Sequence, residues 1–214
     1  QKDGIVHAFV KTVVEDEQGN IWIGSLAGFN VIHKDGTIEE KRVHDNETTL
    51  TVNYSVKDKD NTLWFGTDAG LLKFKDGQFT RFNSANGLIN SQVFVVDEDN
   101  EGNIWLGTNG KGIAKLNYHA ELFVNYSKKD GLADDIVTSI FEDTEGNYWI
   151  GSQGGISKLS DGKFKVYEEH YDKDIMLGVA KKAYDIIQAA EGKLWIATRE
   201  KGVFVYEDEK FTNI

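Results

Sequence analysis

The stretch Asn147-Tyr148-Trp149-Ile150-Gly151-Ser152 recurs in similar form along the whole chain of 214 residues. The other copies read NIWIGS at 20–25, TLWFGT at 62–67, NIWLGT at 103–108 and KLWIAT at 193–198. Each of the five tryptophans lies in one copy, so the chain repeats every 41 to 46 residues. A regular period of this size indicates tandem supersecondary units.

One repeat is clearest over residues 131–167, where four apolar segments alternate with turns that contain glycine. The segments include VTSIF, YWIGS, ISKLS and KFKVY, which are rich in the aromatic and β-branched residues that favour strands. Four short strands per repeat are typical of a β-propeller blade. We therefore predict an all-β fold, a single β-propeller of five four-stranded blades. The predicted blades are approximately 4–44, 45–86, 87–130, 131–174 and 175–214.

Other repeat architectures fit less well. A helical solenoid needs apolar residues at a period of 3.6 together with helix caps, and the repeats have neither. An irregular sandwich does not explain the regular spacing of the tryptophans. The five blades are expected to close into a small ring through contacts between the first and last blades. The alternative is an arc of a larger propeller, whose exposed blade edges would pair with another copy.

The repeated residues have structural roles. The tryptophan of each copy is expected to be buried between neighbouring blades, and the glycine two residues later allows two backbones to approach closely. The Ser or Thr that follows can bond a turn, and Asp16, Asp58, Asp99 and Asp143 are expected to fold the hairpin before the tryptophan. The last repeat departs from this pattern, because it has Ala189 in place of the aspartate and Ala197 in place of the glycine.

The composition excludes several classes of function. The chain has 24 Lys and Arg against 35 Asp and Glu, a formal net charge of -11. This charge disfavours nucleic acid and anionic membranes as partners, because both are bound through basic residues. Without cysteine there is no disulfide, thiol catalysis or cysteine-bound zinc. No apolar run approaches the roughly 20 residues of a membrane-spanning helix.

The sequence that follows Val137, of the form VxSIFEDxxGNxWIGSxGGIxKL, resembles the two-component regulator propeller repeat. The resemblance extends to all five repeats, and its motif consists of the scaffold positions described above. It implies a ligand-sensing region from a bacterial hybrid sensor kinase, located in the periplasm or outside the cell, and many such regions detect products of polysaccharide breakdown. The family often has Asn in the turn before the first strand, where this chain has Ala8, Ser91 and Asp135.

Binding residues are expected in the loops at one face of the propeller, because loops on a rigid frame usually carry function. These loops are the turns before each first strand and the turns between second and third strands, and they differ between blades. The candidate ligand-binding residues on this channel face are His7, Phe29, Asp68, Asn90, Lys111, Asp134, Gln153 and Arg199. The irregular segment 168–182, with Tyr171, Met176, Lys181 and Lys182, is either part of such a pocket or an ordinary loop.

We expect neither a cofactor nor a metal site, because the five histidines show no metal-ligand spacing. Glycoside hydrolysis needs two placed carboxylates. Asp134-Asp135 is the pair considered, and a polar turn explains it better because the other blades have other residues there. The preferred function is a sensory propeller that binds a carbohydrate or other polar solute. The alternatives are a structural or protein-interaction module, which could associate with itself through blade edges, and, with less support, a lyase or glycosidase.

Overall fold

The computed structural model describes residues 7–45, 48–90, 92–117, 120, 122–167, 170–172, 175–177, 183–189, 192–199 and 201–214. In these ranges the protein is almost entirely β-structure, as predicted, with two short 3-10 turns at Ser84–Asn86 and Lys128–Asp130. No helix among the described residues is long and apolar enough to span a membrane.

Five four-stranded sheets follow one another along the chain, and in each of them the strands are hydrogen-bonded in chain order. The first contains β1 (Val10–Glu15), β2 (Ile21–Ser25), β3 (Gly28–Ile32) and β4 (Ile38–Lys41). After a small hairpin of β5 (His44–Asp45) and β6 (Thr48–Thr49), the second contains β7 (Val52–Lys57), β8 (Leu63–Thr67), β9 (Gly70–Lys75) and β10 (Gln78–Phe82). The third contains β11 (Val93–Glu98), β12 (Ile104–Thr108), β13 (Ile113–Asn117) and β14 (Leu122–Tyr126).

The fourth sheet contains β15 (Val137–Glu142), β16 (Tyr148–Ser152), β17 (Gly155–Ser160) and β18 (Lys163–Tyr167). A second small hairpin, β19 (His170–Asp172) and β20 (Ile175–Leu177), precedes the fifth, which contains β21 (Ala183–Gln188), β22 (Leu194–Thr198), β23 (Val203–Glu207) and β24 (Lys210–Asn213). Each sheet is one blade, and the exact blade boundaries stay a prediction. Closure of the five blades into a ring stays a prediction.

The chain forms two compact units, one of residues 1–106 and 116–123 and the other of residues 107–115 and 124–214. In the first unit, the core between blades 1 and 2 is built around Trp22. The Trp22 ring is 4.5 Å from the ring of Phe74 and 5.7 Å from that of Phe65, both in blade 2. In the second unit, Trp149 of blade 4 is 4.8 Å from the ring of Tyr206 in blade 5. The tryptophan of one blade thus fills the space against the next blade.

The tryptophans do not all have the same environment. Trp22, Trp64, Trp105 and Trp149 are at most 2% exposed, which confirms the prediction that they are core residues. Trp195 of blade 5 is 38% exposed, so the same prediction is wrong for this residue.

The aspartate before each buried tryptophan has two roles, of which sequence reasoning found one. In blade 4, Asp143 Oδ1 accepts the backbone N–H groups of Glu145 at 3.0 Å and Asn147 at 2.9 Å, as predicted. Its Oδ2 also accepts the indole N–H of Trp149 at 2.8 Å. The same indole bond occurs in blades 1, 2 and 3, at 2.9, 2.7 and 2.9 Å. The carboxylate therefore fixes both the hairpin and the ring that packs against the next blade.

The repeated glycine is explained by the close approach of two blades. A Cβ added to Gly66 would lie 2.9 Å from Val93 Cγ1, in the first strand of the next blade. At Gly151 the added atom would lie 2.9 Å from the Cβ of Ala183. The hydroxyl after the glycine also behaves as predicted, since Ser152 Oγ donates to the carbonyl of Gly155 at 2.9 Å.

Candidate functional site

In each of the three blades where both loops are described, the turn between the second and third strands lies beside the segment that leads into the first strand. Backbone hydrogen bonds join the two: Leu26 N to Phe9 O at 3.3 Å, Asp68 N to Thr51 O at 3.1 Å, and Gln153 N to Ile136 O at 3.0 Å. The antiparallel pairing of the first two strands places both loops at the same edge. We call this edge of each blade the loop edge, and it corresponds to the predicted channel face.

Three of the candidate residues, Lys111, Asp134 and Gln153, lie on neighbouring loops in the second unit. The carbonyl of Asp135 accepts the backbone N–H groups of Gly110 at 3.0 Å and Gly112 at 2.8 Å. These bonds tie the loop that carries Lys111 to the loop that carries Asp134, and Gln153 joins through its bond to Ile136 O. Lys111 and Gln153 are exposed and Asp134 is half-buried. We call Lys111, Asp134 and Gln153 the three-loop cluster.

The two carboxylates at this point are both used in shaping the loop. Asp134 Oδ1 accepts the backbone N–H of Ile136 at 2.9 Å, and its Oδ2 is 4.0 Å from Lys128 Nζ. Asp135 Oδ1 accepts the N–H of Lys128 at 2.7 Å. Asp134 therefore acts as a turn residue that leaves one oxygen facing a lysine. This geometry fits polar recognition, with one oxygen of each carboxylate engaged by a backbone N–H group.

The first unit contains candidate residues whose side chains are also anchored in turns. Asp68 is exposed, and its Oδ1 accepts the N–H of Thr51 at 3.0 Å. Asn90 Oδ1 accepts the N–H of Gln92 at 3.1 Å. His7 Nδ1 accepts the N–H of Phe9 at 3.0 Å, so in the neutral ring the proton is on Nε2. Each side chain thus has a defined direction at the loop edge of its own blade.

Phe29 requires a correction. It is 0% exposed and packs in the core between blades 1 and 2, with its ring 4.6 Å from that of Phe65. Its side chain therefore has no surface to offer a ligand. The residue of blade 1 that matches Asp68 and Gln153 is Leu26, which is 39% exposed. Counting from the hydroxyl residue, Ser25 here, finds this match from sequence alone.

Arg199 of blade 5 is exposed in the turn after Thr198. This turn has the longer form that is also seen in blade 3, with Thr198 N bonded to Gly202 O at 3.0 Å as Thr108 N is bonded to Gly112 O. Arg199 and Lys111 thus occupy related turns of two different blades. Lys181 and Lys182, and with them much of segment 168–182, lie outside the described residues, as does Ser91.

Several shifted pKa values belong to the scaffold. Burial alone would raise the pKa of Asp143, but the hydrogen bonds from Trp149 and Asn147 outweigh it and lower this pKa below its usual range. The same balance, with Trp22 and Asn20 as donors, lowers the pKa of Asp16. Burial raises the pKa of Tyr167 and of Tyr206, whose hydroxyl oxygens are 3.0 Å apart. The aspartates hold the hairpin and the tryptophan of their own blades, and the two tyrosines join blades 4 and 5.

No three His, Asp or Glu side chains among the described residues are grouped as a metal ion would require. The three-loop cluster instead offers an ammonium, a carboxylate and an amide on a braced backbone. Such a set can donate and accept hydrogen bonds to a polar molecule without chemical change.

Sequence comparison finds a family model that matches part of three blades. The family model described as two component regulator propeller matches residues 4–27, 87–110 and 131–154, which lie in blades 1, 3 and 4. Each matched stretch runs from the turn before the first strand to the turn after the second strand. Among curated proteins there is no significant match to the chain.

Solved structures show the same fold. An extracellular domain from B. thetaiotaomicron, described as part of a hybrid two component system, matches 100% of this chain with a TM-score of 0.79 at 22% identity, over 29% of its own length. A second such domain from the same organism matches 96% with a TM-score of 0.77 at 20% identity, over 31% of its length. Virginiamycin B lyase from Staphylococcus aureus matches 98% with a TM-score of 0.76 at 13% identity, over 71% of its length.

The chain spans less than a third of the length of the two extracellular domains. At these identities the structural likeness shows the fold alone, and the family model matches part of three blades. The protein is a β-propeller, and three of its five blades contain stretches that match the two component regulator propeller model.

Proposed function

We propose that the chain is a sensor-type propeller that binds a carbohydrate or other polar solute at its loop edge, outside the cytoplasm. The observation that carries the proposal is the three-loop cluster, where three unlike polar side chains stand on loops locked together by backbone hydrogen bonds. Pre-ordered loops lose little entropy on binding, so such a surface suits recognition of a small solute. The extracellular domains with the same fold support an exported location.

The cluster favours a hydroxyl-rich ligand over a purely ionic one. Lys111 donates hydrogen bonds, Gln153 both donates and accepts, and the carboxylate of Asp134 accepts. The side chains of Lys111 and Gln153 are exposed and free to contact a ligand from solution. A strongly anionic ligand would meet Lys111 but also the negative charge of Asp134 and the net charge of the chain.

The proposal is tested by calorimetric titration with a panel of neutral and acidic oligosaccharides. Lys111→Ala and Gln153→Ala are expected to weaken binding of the best ligand about tenfold each, as expected for loss of a hydrogen bond to a charged or polar group. Lys163→Ala is the matched control, because Lys163 is exposed at the opposite edge of blade 4, where β17 turns into β18. If no member of the panel binds, or if Lys111→Ala and Lys163→Ala have the same effect, the proposal fails.

The second candidate is a protein-interaction module, and the exposed apolar face of blade 5 favours it. Trp195 is 38% exposed there and Ile187 is 54% exposed. This candidate predicts association that is independent of any solute. An enzymatic role has less support, because the lyase resembles the chain at 13% identity and Asp134 is bonded within its own turn. The expectation that the chain is not an enzyme stays a prediction.

A further inference from the structure

A lysine of blade 2 crosses the line of contact, or seam, between blades 2 and 3 in the first unit. The backbone N–H of Lys59 donates to Glu98 Oε2 at 2.9 Å, and its ammonium donates to the carbonyl of Asp99 at 2.9 Å. The same carbonyl accepts the N–H of Gly102 at 3.0 Å. The carbonyl thus uses both of its lone pairs, one of them to hold an ammonium group.

The seam between blades 4 and 5, inside the second unit, has the same backbone contact without the lysine. Thr144 stands at the position of Lys59 in the repeat. Its backbone N–H donates to Gln188 Oε1 at 2.9 Å, as that of Lys59 does to Glu98. The side chain of Thr144 has no methylene chain, so it cannot cross its seam as the side chain of Lys59 does.

The acceptor on the far side of this seam is kept. Ala189 stands at the position of Asp99 in the repeat. Its carbonyl accepts the N–H of Gly192 at 2.9 Å, as the carbonyl of Asp99 accepts that of Gly102. Because a carbonyl oxygen can accept two hydrogen bonds, Ala189 offers the lone pair that the Lys59 ammonium uses on Asp99.

A cavity of about 240 Å³ lies in the seam between blades 4 and 5. Its walls include the two turns just described, with Asp143 and Glu145 on blade 4 and Gln188 and Gly192 on blade 5. At about 30 Å³ for each water, the cavity has the volume of roughly eight water molecules. It therefore has room for an alkyl chain that ends in an ammonium group, such as Lys59 supplies between the equivalent turns.

The charges that line the cavity are mainly negative. They are the carboxylates of Asp143, Glu145, Glu207 and Asp208 and the ammonium groups of Lys158 and Lys193. Lys193 Nζ is 3.4 Å from Glu207 Oε1, and Lys158 Nζ is 5.1 Å from the centre of the Trp149 ring. With four carboxylates against two ammonium groups, the cavity favours a cation.

We propose that the cavity between blades 4 and 5 binds an aliphatic ammonium ion, held by the carbonyl of Ala189 and by the carboxylates of Glu145 and Asp208. The ligand takes the place that Lys59 fills in the other seam. Its source is a free short-chain amine or the lysine side chain of a peptide, which share this chemistry. The inference is independent of the solute-binding proposal, because the cavity lies at the edge of the blades opposite the loop edge.

A titration of the isotope-labelled full chain with putrescine, a short diamine, tests the proposal by NMR. The indole N–H signal of Trp149 and the amide signal of Gly192 should shift and saturate, because both residues line the cavity. Added salt should weaken the binding, since it screens the charges. A parallel titration with a lysine blocked at both backbone ends shows whether a peptide side chain also enters. If butanediol, which lacks the charge, binds as tightly as putrescine, or if neither amine binds, the proposal is wrong.

A lysine placed at the vacant position of the repeat should compete with the ligand. Thr144→Lys is expected to abolish putrescine binding, because the new ammonium would occupy the cavity as Lys59 occupies its seam. Thr80→Lys is the matched control, since Thr80 is exposed in the outer strand of blade 2. The control adds the same charge and should leave the affinity nearly unchanged. Equal effects of the two lysines would show that the amine binds elsewhere and would overturn the proposal.

A change of charge without a change of size tests the same cavity independently. Asp208 has a φ of 48°, a conformation that Asn also adopts, so Asp208→Asn should keep the turn. We expect putrescine to bind about two- to fivefold more weakly, the range for an ion pair that solvent reaches. An unchanged affinity in this variant would contradict the assignment of the cavity as the ammonium site.

Discussion

At the scale of single residues, the aspartate before each buried tryptophan contributes more than its place in the turn suggests. Asp143 bonds two backbone N–H groups and the indole of Trp149. Asp143→Ala would leave a buried indole N–H without its acceptor and would open the hairpin turn. We expect the free energy of unfolding to fall by about 2–3 kcal/mol, the cost of losing hydrogen bonds to a charged group. Urea unfolding measures this, with the exposed Lys163→Ala as control.

The last blade allows the opposite experiment. Ala189 replaces the aspartate, yet the turn keeps its backbone bonds, with Ala189 N to Lys193 O at 2.9 Å and Gly192 N to Ala189 O at 2.9 Å. Ala189→Asp should therefore restore the carboxylate without a change of backbone and should stabilise the protein by about 1 kcal/mol. The gain should shrink in a Trp195→Phe background, which has no indole N–H. An equal gain in both backgrounds would show that the indole bond does not form.

The lowered pKa values of Asp16 and Asp143 predict a dependence of stability on acid. Their hydrogen bonds favour the ionised form in the folded protein, so their pKa values fall below those of the unfolded chain. The resulting stability is present above the pKa of about 4 in the unfolded chain and is lost as pH falls through the lower pKa values of the folded protein. Urea midpoints measured from neutral pH downward should drop below pH of about 4, and Asp143→Asn should flatten this drop. The same slope in the variant would contradict the assignment.

At the scale of elements, the contact between blades depends on a missing side chain. The backbone angles of Gly66 are open to other residues, but an added Cβ would lie 2.9 Å from Val93 Cγ1 and 3.2 Å from Val93 O. Gly66→Ala should therefore push blades 2 and 3 apart locally and cost about 1–3 kcal/mol, the range for an overpacked core. Ala197→Gly in blade 5 is the matched control and should change stability by less than about 1 kcal/mol. Thermal and urea unfolding in dilute solution measures the change in stability of both variants. Equal effects would rule out the close approach of the two blades as the reason for glycine.

The blade could be predicted from sequence because its contacts repeat. Trp149, Gly151 and Ser152 have equivalents in other copies, and a residue that recurs at a fixed position in every unit indicates a shared structural role. The bond from Trp149 to Asp143 was not predicted, because the two residues are six positions apart and the turn already explains the aspartate. The prediction for Phe29 is wrong because its position was not counted from the hydroxyl residue that ends the second strand. Counting from Ser25 assigns Leu26 to the turn and places Phe29 among the buried residues of β3.

At the scale of the whole molecule, the sequence did not reveal which faces of the blades are covered. Trp195 matches the other tryptophans in its own strand, and its exposure depends on what stands against blade 5. Ala189 and Ala197 did indicate that blade 5 differs from the others, since both replace scaffold residues in this blade. The loop edge could be located from the pattern of strands. Its bracing by Asp135 could not, because hydrogen bonds that a backbone carbonyl accepts do not depend on the side chain of that residue.

The loss of scaffold contacts in blade 5 predicts an uneven distribution of stability over the molecule. In the second unit, β16 of blade 4 lies in a buried core. In contrast, β22 of blade 5 exposes Trp195 and Ala197, and the turn before it has Ala189 in place of the aspartate that would bond the indole. Segments with fewer buried contacts open more often, so the backbone amides of β22 should exchange with solvent at least about tenfold faster than those of β16. Native-state hydrogen exchange in dilute solution measures both strands in one sample. Ala189→Asp should slow exchange in β22 and leave β16 nearly unchanged, whereas equal protection of both strands in the wild type would mean that the missing contacts do not govern local opening.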